Sequence, residues 1–205
     1  TKGMSFYNLA TGVITPHPNT EKLHHLYNPS FSQNGKWIAA ICHAGMGETH
    51  AIFLIEANGT KLINLKIPGC RPCLSNDNKS IAWGSTDNEL SVADIDLDSD
   101  TPKVAKPRLQ IRDSEKFIYH IDWSPDGRYL AFSGGPKSQG DPSKKGTFQS
   151  ACEIVGVYAP GWDIYAVSSE KTGIIDVKTA GADEVARFTS NGASNKEPDW
   201  MPSKP

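Results

Sequence analysis

The sequence lacks a long apolar run, a strong charge of one sign and the motifs of common catalytic sites. No apolar run reaches the roughly 18 residues that a membrane helix needs, so we expect no membrane insertion. The 205 residues include 21 basic and 23 acidic side chains, a formal charge of -2, which excludes recruitment of nucleic acid by charge. The absence of GxSxG, HExxH, GxxxxGK and a Rossmann glycine pattern favours a non-catalytic protein without a cofactor and assigns no metal ligands.

Turn-forming residues, in contrast, are plentiful. The 18 Gly and 14 Pro are dispersed along the chain, which favours short strands joined by tight turns. One pattern recurs: an apolar start, a polar turn and an apolar strand, as PSFSQNGKWIAAI, PCLSNDNKSIAWG, IDWSPDGRYLAFSG and, shortened, PDWMPSKP. Taking Phe31, Leu74, Trp123 and Trp200 as equivalent gives intervals of 43, 49 and 77 residues. The first two intervals fit one propeller blade each, and the third contains an insertion.

A second recurring piece lies between these copies. It is an alternating strand, a turn and a further β-prone stretch, as in HAIFLIEANGTKLINL, ELSVADIDLDSDTPKVAK and WDIYAVSSEKTGIIDVK. Each unit therefore consists of two hairpins, with strands A, B, C and D. We predict an all-β fold of four-stranded antiparallel blades, with Trp37, Trp83, Trp123 and Trp200 in the core between blades.

The segment SPDGRYLAFSG is similar to the signature of the TolB-like, WD-related β-propeller repeat, and NPSFSQNGKWIAA and NKEPDWMPSKP resemble diverged copies. The resemblance covers nearly the whole chain apart from an inserted loop at 136–160. It implies a bacterial extracytoplasmic protein, periplasmic or secreted, and a role as a binding module, an accessory domain or, occasionally, an enzyme.

The order of the repeats predicts a partial ring. The chain begins at a strand C, continues through about three full blades and ends with a lone strand A that would close a ring. Residues 1–205 are therefore expected to form one partial β-propeller domain. Its missing blades would come from the rest of a longer chain or from another chain.

The candidate binding residues precede the apolar start of each repeat. In a propeller this segment lies near the central channel, and the four equivalent positions are all polar: Asn28, Arg71, His120 and Glu197. We predict a channel mouth that binds a peptide, a carboxylate or a metal, with solvated loop residues as the competing interpretation. His24 and His25, before one strand A, extend the metal hypothesis, whereas His43 and His50 are expected to be ordinary exposed residues.

Cysteine chemistry is left open by the sequence. Cys70 and Cys73 form a CxxC that could be a redox dithiol, half of a zinc site, a local disulfide or two small residues at a blade entrance. Only Cys42 and Cys152 remain as further thiolates, and both are distant in sequence. If the protein is extracytoplasmic, as the resemblance implies, a Cys70–Cys73 disulfide is possible.

Two further segments have competing interpretations. The alternating aspartates of ADIDLDSD fit a solvated blade edge better than a calcium loop, because an EF-hand's Gly and closing Glu are absent. The inserted loop at 136–160 is either a partner contact or a linker.

The sequence as a whole predicts a non-catalytic binding and scaffolding propeller with a protein or peptide partner, within a larger extracytoplasmic protein or complex. The enzymatic alternative follows from resemblance: oligogalacturonate lyases are metal-dependent propeller enzymes with channel-facing His ligands, although no matching ligand set can be assigned here. A purely structural domain is the third possibility.

Overall fold

The computed structural model describes residues 2–48, 50–136 and 160–201. These ranges contain strands and turns and no helix, and accordingly no helix long and apolar enough to cross a membrane. Their strands are β1 (Ser5–Tyr7), β2 (Ile14–Pro16), β3 (His24–Phe31), β4 (Trp37–Ala44), β5 (Ala51–Glu56), β6 (Leu62–Asn64), β7 (Cys70–Leu74), β8 (Ser80–Thr86), β9 (Glu89–Asp94), β10 (Leu109–Arg112), β11 (Lys116–Trp123), β12 (Tyr129–Pro136), β13 (Asp163–Ser168), β14 (Gly173–Asp176) and β15 (Val185–Arg187).

The strands form the predicted blades. Two sheets have four strands, in the orders β3-β4-β5-β6 and β11-β12-β13-β15, and all of their pairs are antiparallel. A third sheet has the order β14-β10-β9-β8-β7, and β1 pairs with β2 in a ribbon of two strands that no other described strand joins. This confirms the all-β fold of four-stranded antiparallel sheets.

Strand D departs from the prediction in two sheets. In the segment ELSVADIDLDSDTPKVAK the outer strand does not lie at KVAK, which two prolines bracket; β10 begins only after Pro107. In the last blade, Gly173–Asp176 does not pair with β13. It pairs in parallel with β10, where Arg112 and Asp176 form an ion pair at 3.4 Å, and β15 takes the outer position beside β13.

The chain divides into two compact units. The first contains residues 1–85 and 93–106, and the second contains residues 86–92 and 107–205. The inserted loop, and with it Cys152 and the predicted partner contact, lies almost wholly outside the described residues.

The A–B hairpins share one hydrogen-bonded turn. In the third copy the Ser124 hydroxyl donates to Asp126 at 2.7 Å and accepts from the N–H of Tyr129 at 2.9 Å. Gly127 follows at a φ of 72°, which glycine adopts without steric cost. The same bonds join the equivalent residues of the other copies, Ser32 with Asn34 and Trp37, and Ser75 with Asp77 and Ser80. A short repeated motif therefore fixes each hairpin.

The core of the first unit lies on both faces of the β3–β6 sheet. Trp37 is fully buried, and its indole N–H donates to the carbonyl oxygen of Leu97 at 2.9 Å. Trp83 is 2% exposed and donates to Pro68 at 3.0 Å. In the second unit Trp123 is buried as well, whereas Trp200 is half-buried. Three of the four tryptophans predicted for the core are therefore buried.

Candidate functional site

The four predicted binding residues share an unusual backbone conformation. Asn28, Arg71, His120 and Glu197 have φ angles of 49°, 54°, 44° and 58°. Left-handed backbone is tolerated by Asn but is uncommon for residues as large as Arg, His and Glu. Its recurrence at four equivalent repeat positions shows that the repeat imposes it.

A β-bulge accompanies this conformation in each complete A strand. The pairing register shifts between Tyr27 and Ser30, between Cys70 and Cys73, and between Tyr119 and Ile121. A bulge bends the strand and re-aims the side chain at its extra residue, and such features are concentrated next to functional sites. Neither hydrophobic periodicity nor composition could have shown the bulges; only the alignment of the repeats pointed to these positions.

In the first unit, Asn28 and Arg71 lie on neighbouring A strands. β3 packs against β7, and the Ser30 hydroxyl accepts the N–H of Leu74 at 2.9 Å. Arg71 is only 8% exposed, and its guanidinium lies over Gly84, where a Cβ would approach Nη2 to 2.9 Å. The absence of a side chain at Gly84 therefore leaves the space that the guanidinium occupies.

In the second unit, a hydrogen bond joins the segments that carry His120 and Glu197. The backbone N–H of Trp200 donates to the carboxylate of Asp122 at 2.9 Å, which ties the segment after Glu197 to the strand after His120. The ammonium of Lys196 lies 3.9 Å from the ring centroid of Trp162 and 4.5 Å from that of Tyr119. These cation–π contacts hold the residue next to Glu197 in place.

Two carboxyl groups interact beside these residues. Burial raises the pKa of Asp122, and a hydrogen bond to Asp199 together with the negative charge of Asp199 raises it further, against a lowering by the N–H of Trp200. A neighbouring carboxylate disfavours the ionised form of Asp122, because the two negative charges would repel each other. Asp122 therefore holds its proton more readily than an ordinary aspartate does.

A histidine cluster was missed from the sequence. The Tyr27 hydroxyl lies 2.7 Å from Nδ1 of His43, whose ring centroid lies 4.5 Å from that of His50. Burial lowers the pKa of His43, and the charges of His50 and His25 lower it further. The pairing of His24 with Ala44 explains the cluster, because a hairpin places the start of strand A beside the end of strand B. The interpretation of His43 and His50 as ordinary exposed residues was therefore incomplete.

The cluster offers hydrogen-bonding and titratable groups. Within residues 2–48, 50–136 and 160–201, no group of three or more His, Cys, Asp or Glu side chains could hold a metal ion.

The aspartates of ADIDLDSD are exposed, and Asp96 accepts backbone N–H bonds from Asp98 and Ser99 at 3.1 and 3.3 Å. This is a solvated turn after β9 and agrees with the solvated-edge interpretation.

The CxxC brackets the bulge of β7. Cys70 is paired opposite Gly84 and Cys73 opposite Ala82, with Arg71 and Pro72 between them. The motif therefore opens a strand A, as the sequence indicated, and not a helix of the thioredoxin type. The Cys70–Cys73 disulfide stays a prediction.

Solved structures with similar folds show where this architecture occurs, although no family model and no curated protein matches the chain. An oligogalacturonate lyase from Vibrio parahaemolyticus is similar over 93% of this chain and 47% of its own, with a TM-score of 0.53 and 16% identity. TolB from Acinetobacter baumannii is similar over 94% of this chain and 38% of its own, with a TM-score of 0.53 and 16% identity. A putative TolB from Agrobacterium tumefaciens is similar over 96% of this chain and 64% of its own, with a TM-score of 0.52 and 13% identity.

The chain thus spans less than two thirds of each of these proteins. At these identities the similarity shows the fold alone. The repeated antiparallel sheets and these neighbours together show that the chain has the TolB-like β-propeller fold.

Proposed function

We propose that this chain is a non-catalytic binding and scaffolding β-propeller. Its partner is a protein or peptide, and the polar residues with left-handed backbone, Asn28, Arg71, His120 and Glu197, contact that partner. The observation that carries the proposal is the left-handed backbone at all four positions. Strained backbone persists where the surrounding structure holds it, and it is concentrated at ligand-binding sites.

The side chains at these bulges support a peptide partner more than a polyanion. The first unit offers a guanidinium and a neutral amide, whereas the second offers the carboxyl groups of Asp122, Glu197 and Asp199. A peptide carries donors, acceptors and both signs of charge, so each unit taken alone offers groups that a peptide can satisfy. With its TolB-like fold, the chain is proposed to act outside the bacterial cytoplasm, as part of a larger protein or complex whose further blades complete the ring.

A metal-dependent lyase is the second candidate. The observation in its favour is that the structural neighbours include an oligogalacturonate lyase in complex with manganese, with a TM-score of 0.53 and 14% identity. It would require a ligand set that the described residues do not assemble. Metal analysis of the purified protein separates the two candidates: a stoichiometric transition metal lost on His120→Gly would overturn the binding proposal.

The binding proposal is tested by glycine substitutions at the bulges. Peptides are selected from a random displayed library on the wild-type chain, and their affinities are measured for Asn28→Gly and His120→Gly. Glycine accepts positive φ, so stability should change by no more than about 1 kcal/mol. Affinity should fall about tenfold or more because the contacting side chain is lost.

Lys66→Gly is the matched control, because Lys66 has a φ of 57° but lies outside the bulges. Its variant should keep full affinity. If the library yields no binder, or if both bulge variants bind like wild type, the proposed function is wrong.

A further inference from the structure

Two aromatic side chains of the second unit lie against one ammonium group. The rings of Tyr119 and Trp162 meet edge to face, with their centroids 6.3 Å apart and their planes at 82°. The ammonium of Lys196 lies 3.9 Å from the ring centroid of Trp162 and 4.5 Å from that of Tyr119. Lys36 and Lys116, by comparison, lie over a ring at 5.5 and 5.9 Å. The Tyr119–Trp162 pair therefore forms an aromatic cage, which attracts an ammonium group through its positive charge.

Packing and hydrogen bonds build this cage. Trp162 is fully buried, and Gly135 leaves the space for its indole, because a Cβ at this glycine would overlap the ring. Asn195 donates its backbone N–H and its side-chain amide to the carbonyl oxygen of Trp162, each at 3.0 Å. These bonds fix the residue before Lys196 beside the indole. The cage is therefore part of the fold and not a chance meeting of exposed side chains.

Lys196 is the member of this arrangement that is able to move. Its side chain is half-buried, and the residue lies in the segment after β15, outside any strand. A lysine at such a place exchanges a cation–π contact for hydration at little cost, because its flexible stem reaches water. The indole of Trp162 is fully buried, so an external ammonium reaches it only when Lys196 has moved aside. Lys196 is thus an occupant of the cage that a ligand can replace.

Carboxyl groups next to the cage favour a positive ligand. Glu197 and Asp199 follow Lys196 in the chain, and both are exposed. Asp199 also interacts with Asp122, which accepts the N–H of Trp200 at 2.9 Å and so holds this segment against β11. Negative charge beside the rings attracts a cation and repels an anion. The cage and its surroundings therefore select an ammonium group over a carboxylate or a phosphate.

We propose that the cage binds the ammonium group of a lysine side chain on the peptide partner, and that Lys196 occupies the cage in the free protein as an internal competitor. On binding, the ammonium of the peptide replaces that of Lys196, which moves into water. A tethered competitor acts at a high effective concentration and so lowers the apparent affinity for the ligand. The peptide nature of the partner rests on the proposed function, whereas the ammonium site rests on the cage alone.

Titrations with two cations and a neutral control test the cage. The cations are n-butylammonium and a blocked glycyl-lysyl-glycine tripeptide, and the control is the same tripeptide with norleucine in place of lysine. Each is added to the intact 205-residue chain, and nuclear magnetic resonance follows the indole N–H signal of Trp162, assigned with Trp162→Phe. We expect both cations to shift this signal saturably and the norleucine tripeptide to leave it unchanged. No saturable shift with either cation, or an equal shift with norleucine, overturns the proposal.

Two variants separate the internal competitor from general electrostatics, because each removes one positive charge from the second unit. Lys196→Gln frees the cage, so the affinity for the lysine tripeptide should rise about tenfold or more. Lys116→Gln is the matched control, since it takes the same charge from over the ring of Tyr165, and it should bind like wild type. Equal affinities of the two variants would contradict the role of Lys196.

A double variant shows whether the gain comes from the cage. Adding Tyr119→Leu to Lys196→Gln removes one ring and should abolish most of the gain, with circular dichroism as the check of folding; a full gain in the folded double variant contradicts the proposal. If the double variant unfolds, the comparison of Lys196→Gln with Lys116→Gln still decides, because both lysines are only half-buried.

Two further outcomes distinguish this inference from the proposed function. Binding of butylammonium without binding of the lysine tripeptide would overturn the assignment of the ligand to a peptide lysine. Failure of the library selection together with binding of the lysine tripeptide would refute the proposed function and would support the ammonium site.

Discussion

The two faces of the β3–β6 sheet differ in what covers them. On one face, Trp37, Ile41 and Leu54 pack in a cluster with residues of β7 and β8, including Leu74 and Trp83. On the other face, buried residues of β4 and β5 form a second cluster beneath the two-stranded ribbon, and Met4 and Phe6 of the ribbon segment pack against it, as do Leu26 and Leu62. The buried members of this cluster are Leu23, Ile38, Ala40, Cys42, Ala51, Phe53, Ile55 and Ala57.

The comparison shows that the β3–β6 sheet packs against a neighbour on each of its two faces. The first six residues of β4 are all buried, so neither face of this strand is a solvent face. On the ribbon side the cover stops short, and Tyr27 and Phe31 of β3 stay 41% and 55% exposed. Repeat units that cannot bury their faces alone depend on neighbours, and the described residues cover this face less completely than the opposite one.

The largest expected loss of stability comes from truncating a side chain on the fully covered face. Trp37→Ala removes a completely buried indole and its hydrogen bond to Leu97. Truncating a buried tryptophan costs about 3–5 kcal/mol of unfolding free energy, because transfer and cavity terms add. Urea unfolding followed by fluorescence of the other tryptophans would measure the loss. A loss below about 1 kcal/mol would contradict the packing of this face.

A smaller effect is expected on the ribbon face. Phe6→Ala truncates a half-buried ring that packs on the cluster beneath the ribbon. We expect a loss of about 1 kcal/mol in the same urea titration, since much of the ring already contacts water. If Phe6→Ala costs as much as Trp37→Ala, the ribbon covers its face as completely as β7 and β8 cover theirs, and the comparison fails.

The smallest expected effect is a pH dependence of the covering hairpin. Burial works to raise the pKa of Asp77, but hydrogen bonds from Ser75 and from the N–H of Lys79 outweigh it and lower this pKa below 3.8. The folded-state pKa is thus below the unfolded one, so the stabilisation is full above about pH 4 and is lost as pH falls through the folded value.

Asn34 supplies the control for this pH dependence. It accepts the same bonds in the β3–β4 turn, from Ser32 and from the N–H of Lys36, with an amide that does not titrate. In Asp77→Asn the urea midpoint of unfolding should therefore fall less between about pH 4 and pH 2 than it does in the wild type. An unchanged acid sensitivity in Asp77→Asn would show that other carboxylates are responsible.

In the third copy of the turn, the pKa of the equivalent aspartate is also lowered, and by a larger amount. Hydrogen bonds from the Ser124 hydroxyl, the Arg128 N–H and the Arg128 side chain lower the pKa of Asp126 to about 2. Its protonation therefore belongs to the same acid range, and an Asp77→Asn, Asp126→Asn double variant separates the two contributions.

The fold could largely be predicted from the sequence because the repeat motif acts locally. Ser124, Asp126 and Gly127 form their turn through bonds within a few residues, so their spacing alone indicates a hairpin. The outer strands were harder. Gly173–Asp176 pairs with β10 in parallel, and its choice of partner depends on contacts such as that between Lys178 and Glu115, at 2.5 Å across a wide sequence separation.

The candidate site was predictable in position but not in geometry. Aligning the repeats found Asn28, Arg71, His120 and Glu197, yet no residue pattern announces a positive φ at Arg or Glu. The contact between His43 and His50 could not be predicted from the sequence, because it depends on how the chain turns back after β4. The contact of Tyr27 with His43 depends on the register of β3 against β4, which a bulge shifts.

Amide hydrogen exchange tests the contrast between the fully covered and the partly covered face most directly. The account predicts slow exchange for the N–H groups of Ile38–Ile41 in β4 and fast exchange for those of Ser5 and Tyr7. Protection of Ser5 and Tyr7 equal to that of β4 in the chain alone would contradict the account, because it would mean that the edge of β1 is already paired.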